Sequence, residues 1–401
     1  MGEPIPSNFQ VPGFLAAGIA ADLKKNGEGD LALIYSEVPA VAAGVFTTNR
    51  VKAAPVLLSM ERVKSGTARA LLANSGSANA CTGRQGLRDG QRLSRLIASS
   101  LKIDPSSILL ASTGVIGKPL PMPTIEKNLP RLVASLKSAG LADAARAIMT
   151  TDTFPKAVIT RGRVNGSEIV IAGMAKGAGM INPKMATLLS FVFTDALISP
   201  RALRQSLSDG AQRSFNRITV DGDTSTNDTL LILANGKADN REILSHTVGY
   251  KKFSDLLNEV LFSLSQMVAR DGEGATKLVE IAVGGARTTS EAGQVARAIA
   301  YSPLVKTAFF GEDANWGRIM CAAGYSGIAI DPDKIDIFFD DVPIVRHGHG
   351  TGLENEVRAT SVMKKRDYRV RLNLHRGTKI ASIFTTDLSY DYVKINASYR
   401  S

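Results

Sequence analysis

A hairpin in the middle of the chain is the strongest constraint on its fold. Two alternating, β-branched runs, KAVITRGRV (156–164) and SEIVIAGMA (167–175), are separated by Asn165-Gly166, the pair that most readily takes the positive φ angles of a two-residue hairpin turn. The spacing predicts an antiparallel strand pair whose second strand runs straight into KGAGMINPKMAT (176–187). Whatever that segment does, it does from the end of a sheet.

Periodicity on either side extends the sheet. Strands are expected at 31–38, 41–47, 69–73 and 108–112, with a helix over 86–101 between the last two. After the central segment come a strand at 188–193, a helix opened by Ser199-Pro200, and strands at 217–220 and 230–234. A long helix over 253–269 ends at DGEG and is followed by a strand at 277–283. The last 110 or so residues read as a smaller α/β portion, with DKIDIFFDDVPIV and DYRVRLNLH as its clearest strands. The reading is therefore α/β, with a larger portion over 1–285 and a smaller one over 286–401.

Composition narrows the class. Apolar residues make 44% of the chain and charged ones 21%, which excludes disorder and leaves enough apolar surface for a sizeable core. The opening residues carry acid and proline rather than a basic stretch followed by an apolar one, and no run is long enough to span a bilayer, so a cytoplasmic protein without membrane association is expected. Net charge is +11, yet the basic residues are dispersed and aromatics are few, which argues against a nucleic-acid partner. Cys81 and Cys321 sit in small-residue or apolar segments and are expected as buried free thiols.

The central segment carries the chemistry. Glycines and a proline bracket Ala186-Thr187 immediately before an apolar strand, so a loop that can be held strained precedes a hydroxyl at a strand start. A threonine inside a chain is a poor nucleophile because no base adjoins its hydroxyl. Scission of the Ala186–Thr187 bond would give Thr187 a free α-amino group, which is its own general base, with an ordinary pKa of about 8. A nearby cation such as Lys176 would lower it further. Taken alone, the segment reads first as a glycine-rich connection into a core strand.

The surrounding motifs decide between the two. NSGSANACTG (74–83), STGVIG (112–117), TTDTFPK (150–156), KGAGMINPKMATLL (176–189), FNRITVDGDTSTNDT (215–229), KTAFFGEDANWGRI (306–319) and INASYRS (395–401) follow one another in an order that resembles the ornithine acetyltransferase (glutamate N-acetyltransferase) family of arginine biosynthesis, from near residue 5 to the end. The resemblance implies a layered α+β sandwich, related in layout to the N-terminal nucleophile hydrolases, and a precursor that cuts itself between Ala186 and Thr187. It implies ping-pong transfer of acetyl from N-acetylornithine to glutamate through acetyl-Thr187, without a resident cofactor. Some members also take acetyl-CoA as donor. Paired α and β fragments, two of each per assembly, are the implied partners.

Roles carry over where the motifs match. Thr113 and Gly114 correspond to the oxyanion-stabilising pair, since a turn after a strand can aim a hydroxyl and a backbone N–H at one point. Substrate contacts map to Thr153, Lys176, Thr187, Glu273, Asn396 and Ser401, with Lys176 the candidate for a substrate carboxylate and Glu273 for an ammonium. Ala178, Lys184 and Ser77 depart from commoner family residues beside these positions. A self-processing amidase or aminopeptidase, releasing acetyl to water, would use the same Thr187.

Other signals are weaker. Asp221 and Asp223 sit in a D-x-D-x-S run that resembles a phosphatase aspartate loop, but no later acidic pair accompanies it. Thr226 stands where a calcium loop needs glycine. His347 and His349 flank Gly348 without a third ligand nearby, so no metal is expected. Asn165, Asn227 and Asn396 begin sequons that mean nothing without secretion.

Overall fold

A computed structural model describes residues 4–24, 27–182 and 188–398. They form two compact units, one from residues up to 216 together with Asp223–Val268, the other from Arg217–Gly222 and the residues from Ala269 onward.

The first unit holds an eight-stranded sheet: β1 (Phe14–Ile19), β2 (Leu31–Phe46), β3 (Thr67–Ser77), β4 (Ile108–Val115), β5 (Lys156–Val164), β6 (Ser167–Lys176), β7 (Leu189–Thr194) and β8 (Thr229–Ala234). The order is β4-β3-β2-β8-β7-β6-β5, with β1 also on β2. The expected hairpin is present. Val164 pairs with Ser167, and Asn165 and Gly166 take φ of 49° and 99°, as the tight turn requires.

β2 makes the sheet into a sandwich. The two strands expected at 31–38 and 41–47 are one 16-residue strand whose pairing with β3 breaks between Tyr35 and Ala40. Its first half carries β1 and β3, its second half β8. The extra residues bend the strand, so the β1–β4 portion and the β5–β8 portion enclose one core: Phe14, Ile34, Leu71 and Leu109 from one side, Met174, Phe191, Phe193 and Leu231 from the other. The Phe14 and Phe193 rings lie 5.2 Å apart, tilted by 57°. Each fully buried side chain of this kind stabilises by about 1.5–3 kcal/mol.

Helices cover both outer faces. α1 (Ala54–Arg62), α2 (Gly83–Leu101) and α3 (Met122–Ala134) accompany the β1–β4 side, where Leu93 and Ile97 of α2 and Ile125 and Leu129 of α3 join Leu31, Leu33 and Leu110 in a second core, while α4 (Leu141–Ala147) puts Leu141, Ala144 and Ala145 into the interlayer core. α5 (Pro200–Arg213) and α6 (Val248–Arg270) follow β7 and β8. A Cβ at Gly173 of β6 would stand 2.7 Å from Val260 and 2.8 Å from Leu264, so only glycine lets α6 lie this close to the strand.

The second unit has its own six-stranded sheet, formed by β9 (Leu278–Ala286), β10 (Asp336–Phe339), β11 (Val342–Arg346), β12 (His349–Gly350), β13 (Asp367–Asn373) and β14 (Lys379–Thr386) in the order β12-β11-β10-β13-β9-β14. Alternate residues Val279, Ile281, Val283 and Tyr368, Val370, Leu372 face a core with α7 (Thr289–Tyr301), α8 (Pro303–Phe310), α9 (Trp316–Gly324) and α10 (Leu353–Met363). The last helix, α11, is Tyr390–Ser398.

Two expectations are corrected. No strand forms at 217–220, where a short helical turn, Phe215–Arg217, is followed by a single bridge from Ile218 to Phe384. Four residues with one bonded partner make no ladder. Cys81 and Cys321 are free but exposed. Cys81 occupies a positive-φ loop position, and Cys321 lies on the opposite face of α9 from buried Ile319, Ala322 and Ala323.

Candidate active site

Strand alternation builds the site. Leu109 and Ala111 of β4 and Ala172 and Met174 of β6 face the interlayer core. Two residues further along each row stand Thr113 and Lys176. Both are buried, at 8% and 5% exposure, and the Lys176 ammonium donates to Thr113 Oγ1 at 3.2 Å. These strands are far apart along the sheet, so only the bend in β2 brings them together. Gly114 follows at φ 125°. A Cβ there would lie 2.5 Å from the Gly76 carbonyl carbon, where β3 bulges so that Ser77 pairs with both Thr113 and Val115.

Two buried aspartates hold the ends of the segment between β6 and β7. Asp152 Oδ1 accepts from Gly177 N at 2.7 Å and from Lys156 Nζ at 2.6 Å, and Oδ2 accepts from Thr150 N at 2.9 Å. Burial alone would raise its carboxyl. Lys156, then Lys176, and the hydrogen bonds from Lys156 and Gly177 instead hold it below the usual carboxylate range. At the other end Asp228 Oδ1 accepts from Leu188 N at 3.0 Å. Burial pushes this carboxyl well up, against weaker opposition from Leu188 N–H, Thr47 and Lys176. The Thr47 hydroxyl itself donates to Ser225 O at 2.6 Å, and Asp228 Oδ2 has no hydrogen-bond partner among the described residues.

In the second unit Glu273 Oε2 accepts from Asn396 Nδ2 at 2.9 Å, so two of the residues singled out from sequence meet there. Lys306 is fully enclosed, donating to Thr385 Oγ1 at 3.2 Å, to Thr386 Oγ1 at 3.1 Å and to Thr386 O. Burial pushes its ammonium down to about 7, while Asp387 and Asp221 pull it up.

The sequence model of the ArgJ family matches residues 15–401. The chain belongs to the ArgJ family. An Arginine biosynthesis bifunctional protein ArgJ from Geobacter sulfurreducens is 52% identical over 393 residues, spanning 98% of this chain and 100% of the relative. One from Caldanaerobacter subterraneus is 46% identical over 404 residues and spans all of both chains. A solved ArgJ structure from Bacillus halodurans is 45% identical, with a TM-score of 0.50, and covers 52% of this chain and 98% of its own.

Within this ArgJ-family chain, Thr113, Gly114 and Lys176 share one end of the sandwich. Thr153 is exposed in the loop before β5, and Glu273 and Asn396 form their own pair. Ala186, Thr187 and Ser401 lie outside the described residues. Sequence reasoning quoted Asp152, Lys156 and Lys306 inside motifs without giving them roles, and gave Asp228 none of its own within a run whose carboxylates and hydroxyls it read as backing the nucleophile strand. Acid or lysine in otherwise apolar and small surroundings was the available signal. Among the described residues no helix is long and apolar enough to cross a membrane, and no three His, Cys, Asp or Glu side chains group to hold a metal. His375 Nε2 lies 2.9 Å from Asp336 Oδ2.

Proposed function

We propose that this chain is the ornithine acetyltransferase of arginine biosynthesis, moving acetyl from N-acetylornithine to glutamate through an ester on Thr187 after scission of the Ala186–Thr187 bond. The observation that carries the reading is the Lys176–Thr113 contact at the end of β6, directly before the segment that ends at Thr187. Because Lys176 donates to Thr113 Oγ1, the hydroxyl keeps its own proton to give. A hydroxyl polarised by a buried ammonium suits an oxyanion, and Gly114 N–H is the second donor of the pair.

The steps balance without further groups. The freed Thr187 amine takes the Oγ proton as Oγ adds to the acetyl carbon. The tetrahedral oxyanion rests on Thr113 and Gly114, and the C–N bond breaks as the amine returns the proton to ornithine. Glutamate's neutral amine then attacks the ester carbon, the C–Oγ bond breaks, and the proton lost by that amine passes through the Thr187 amine to Oγ, restoring the hydroxyl. Lys176 serves the oxyanion end in this scheme, while Thr153, Glu273, Asn396 and Ser401 contact substrate.

One comparison supports scission at residue 187. The Bacillus halodurans chain is matched over 98% of its length by 52% of this one, so it is about half as long, as a fragment beginning at Thr187 would be. Pairing of α and β fragments, their doubling into a tetramer, a cytoplasmic location and use of acetyl-CoA as a co-substrate belong to the same proposal.

The test is intact mass together with product analysis. Two fragments meeting at Ala186/Thr187, and acetylglutamate formed from N-acetylornithine and glutamate, are expected. Thr187→Ala should stay whole and inactive. Acetate as sole product would replace transfer by hydrolysis, and transfer by Thr187→Ala would move the nucleophile elsewhere.

A further inference from the structure

We propose that Asp228 is a positioning residue for the nucleophile, and that Asn227 beside it ties the nucleophile's strand to the strand carrying Thr113. The proposal rests on the reading of Thr187 as nucleophile and names what aims it.

Leu188 N belongs to the peptide unit whose carbonyl is that of residue 187, and Asp228 Oδ1 holds it at 3.0 Å. Thr229 N donates to Leu188 O at 3.0 Å. Leu188, the residue after the nucleophile, is therefore gripped at both its peptide groups by two consecutive residues, Asp228 just before β8 and Thr229 at its start. Asn227 Nδ2 donates to Ser112 O and Ala78 O, each at 2.7 Å, and Ser112 O belongs to the peptide unit shared with Thr113. Two adjacent side chains thus hold the peptide units adjoining the nucleophile and the oxyanion pair.

The hub is itself fixed. Asp228 O accepts from Thr47 N at 3.0 Å, at the end of β2, and Asn227 N donates to Ser225 Oγ at 3.0 Å. Asp228 is fully buried, and its Oδ2 is bonded to no described residue. A carboxylate there would be a buried charge with no adjacent cation, which costs more than a neutral group accepting Leu188 N–H through Oδ1. Asparagine has that outline and that acceptor, and alanine has neither.

The full-length chain, Asp228→Asn and Asp228→Ala are compared for cleavage by intact mass, for kcat and KM in acetyl transfer to glutamate, and for thermal melting. Asp228→Ala is expected to slow cleavage and lower kcat about 100-fold, the scale of a misplaced reacting group, with KM within about threefold. Asp228→Asn is expected to recover most of that loss. If Asp228→Ala does not fold, Asp228→Ser, whose side chain is too short to hold Leu188 N in the same place, replaces it. Full cleavage and transfer by the alanine or serine variant would overturn the proposal, and so would an asparagine variant as impaired as alanine. An unaltered chain that transfers acetyl while staying whole would sink the Thr187 reading itself, a separate failure.

Discussion

Asp152 and Asp228 stand at opposite ends of the segment between β6 and β7 and do the same backbone task in opposite electrostatic settings. Each is buried and receives the N–H of an end residue, Gly177 or Leu188. Asp152 has Lys156 at 2.6 Å, with Lys176 also acting on it, and stays ionised. Asp228 has only the more distant influence of Lys176 and is driven toward its protonated form. Burial is common to both, so the adjacent cation decides. One end of the segment is pinned by a carboxylate with a cation beside it, and the other by a carboxyl whose burial no adjacent cation offsets.

Breaking that difference at its source should give the largest effect. Lys156→Met leaves the Asp152 carboxylate enclosed without its partner and is expected to lower stability by about 3–5 kcal/mol in urea unfolding. An apolar swap of both partners often restores such a loss, but Asp152→Leu/Lys156→Met should not, because Thr150 N and Gly177 N also depend on Asp152. A double variant as stable as the unaltered chain would show that the pair, rather than the backbone bonds, is what Asp152 is for.

Lys306 extends the comparison to a buried cation. Its contacts are neutral oxygens, while the nearby Asp387 is taken up by Thr276 N, Thr276 Oγ1 and Lys277 N at 2.8, 2.6 and 2.9 Å. With a native pKa of about 7 against an ordinary 10.5, the unfolded chain binds the proton more tightly. Stability should therefore rise with pH between those two values, and the burial penalty is fully present below about 7. Raising pH from 7 to 9.5 should gain on the order of 3 kcal/mol from this group, and Lys306→Met should remove that increment. Equal pH slopes for the two proteins would place Lys306 in the ordinary lysine range.

Local patterning made part of this visible. The hairpin was legible because Asn165-Gly166 admits few alternatives, and α2 and α6 because their apolar spacing is long and regular. The bend in β2 was not, since Pro39-Ala40 reads as a break between two strands when β3 and β8 are unseen. The meeting of Lys176 with Thr113 depends on that bend, so no spacing along the chain could reveal it. Arg217–Val220 misled for the opposite reason: it has strand-like residues but only Phe384 to pair with. The motifs named Thr113, Gly114 and Lys176, while the burial that Asp152 and Asp228 share is a property of the packed sandwich.

The smallest expected effect on stability separates burial from recognition. Asn396 is exposed on α11, and its amide donates both to Glu273 Oε2 at 2.9 Å and to Tyr392 O at 3.0 Å. Water can replace either bond, so Asn396→Ala should change unfolding free energy by less than about 0.5 kcal/mol. If Glu273 answers a substrate ammonium, losing the amide that orients its carboxylate should raise KM roughly tenfold while kcat stays near its original value, the scale of a hydrogen bond to a charged group. A stable variant with an unchanged KM would leave Glu273 and Asn396 as a surface pair, and would confine the chemistry to residues that, like Asp152 and Asp228, work from inside the sandwich.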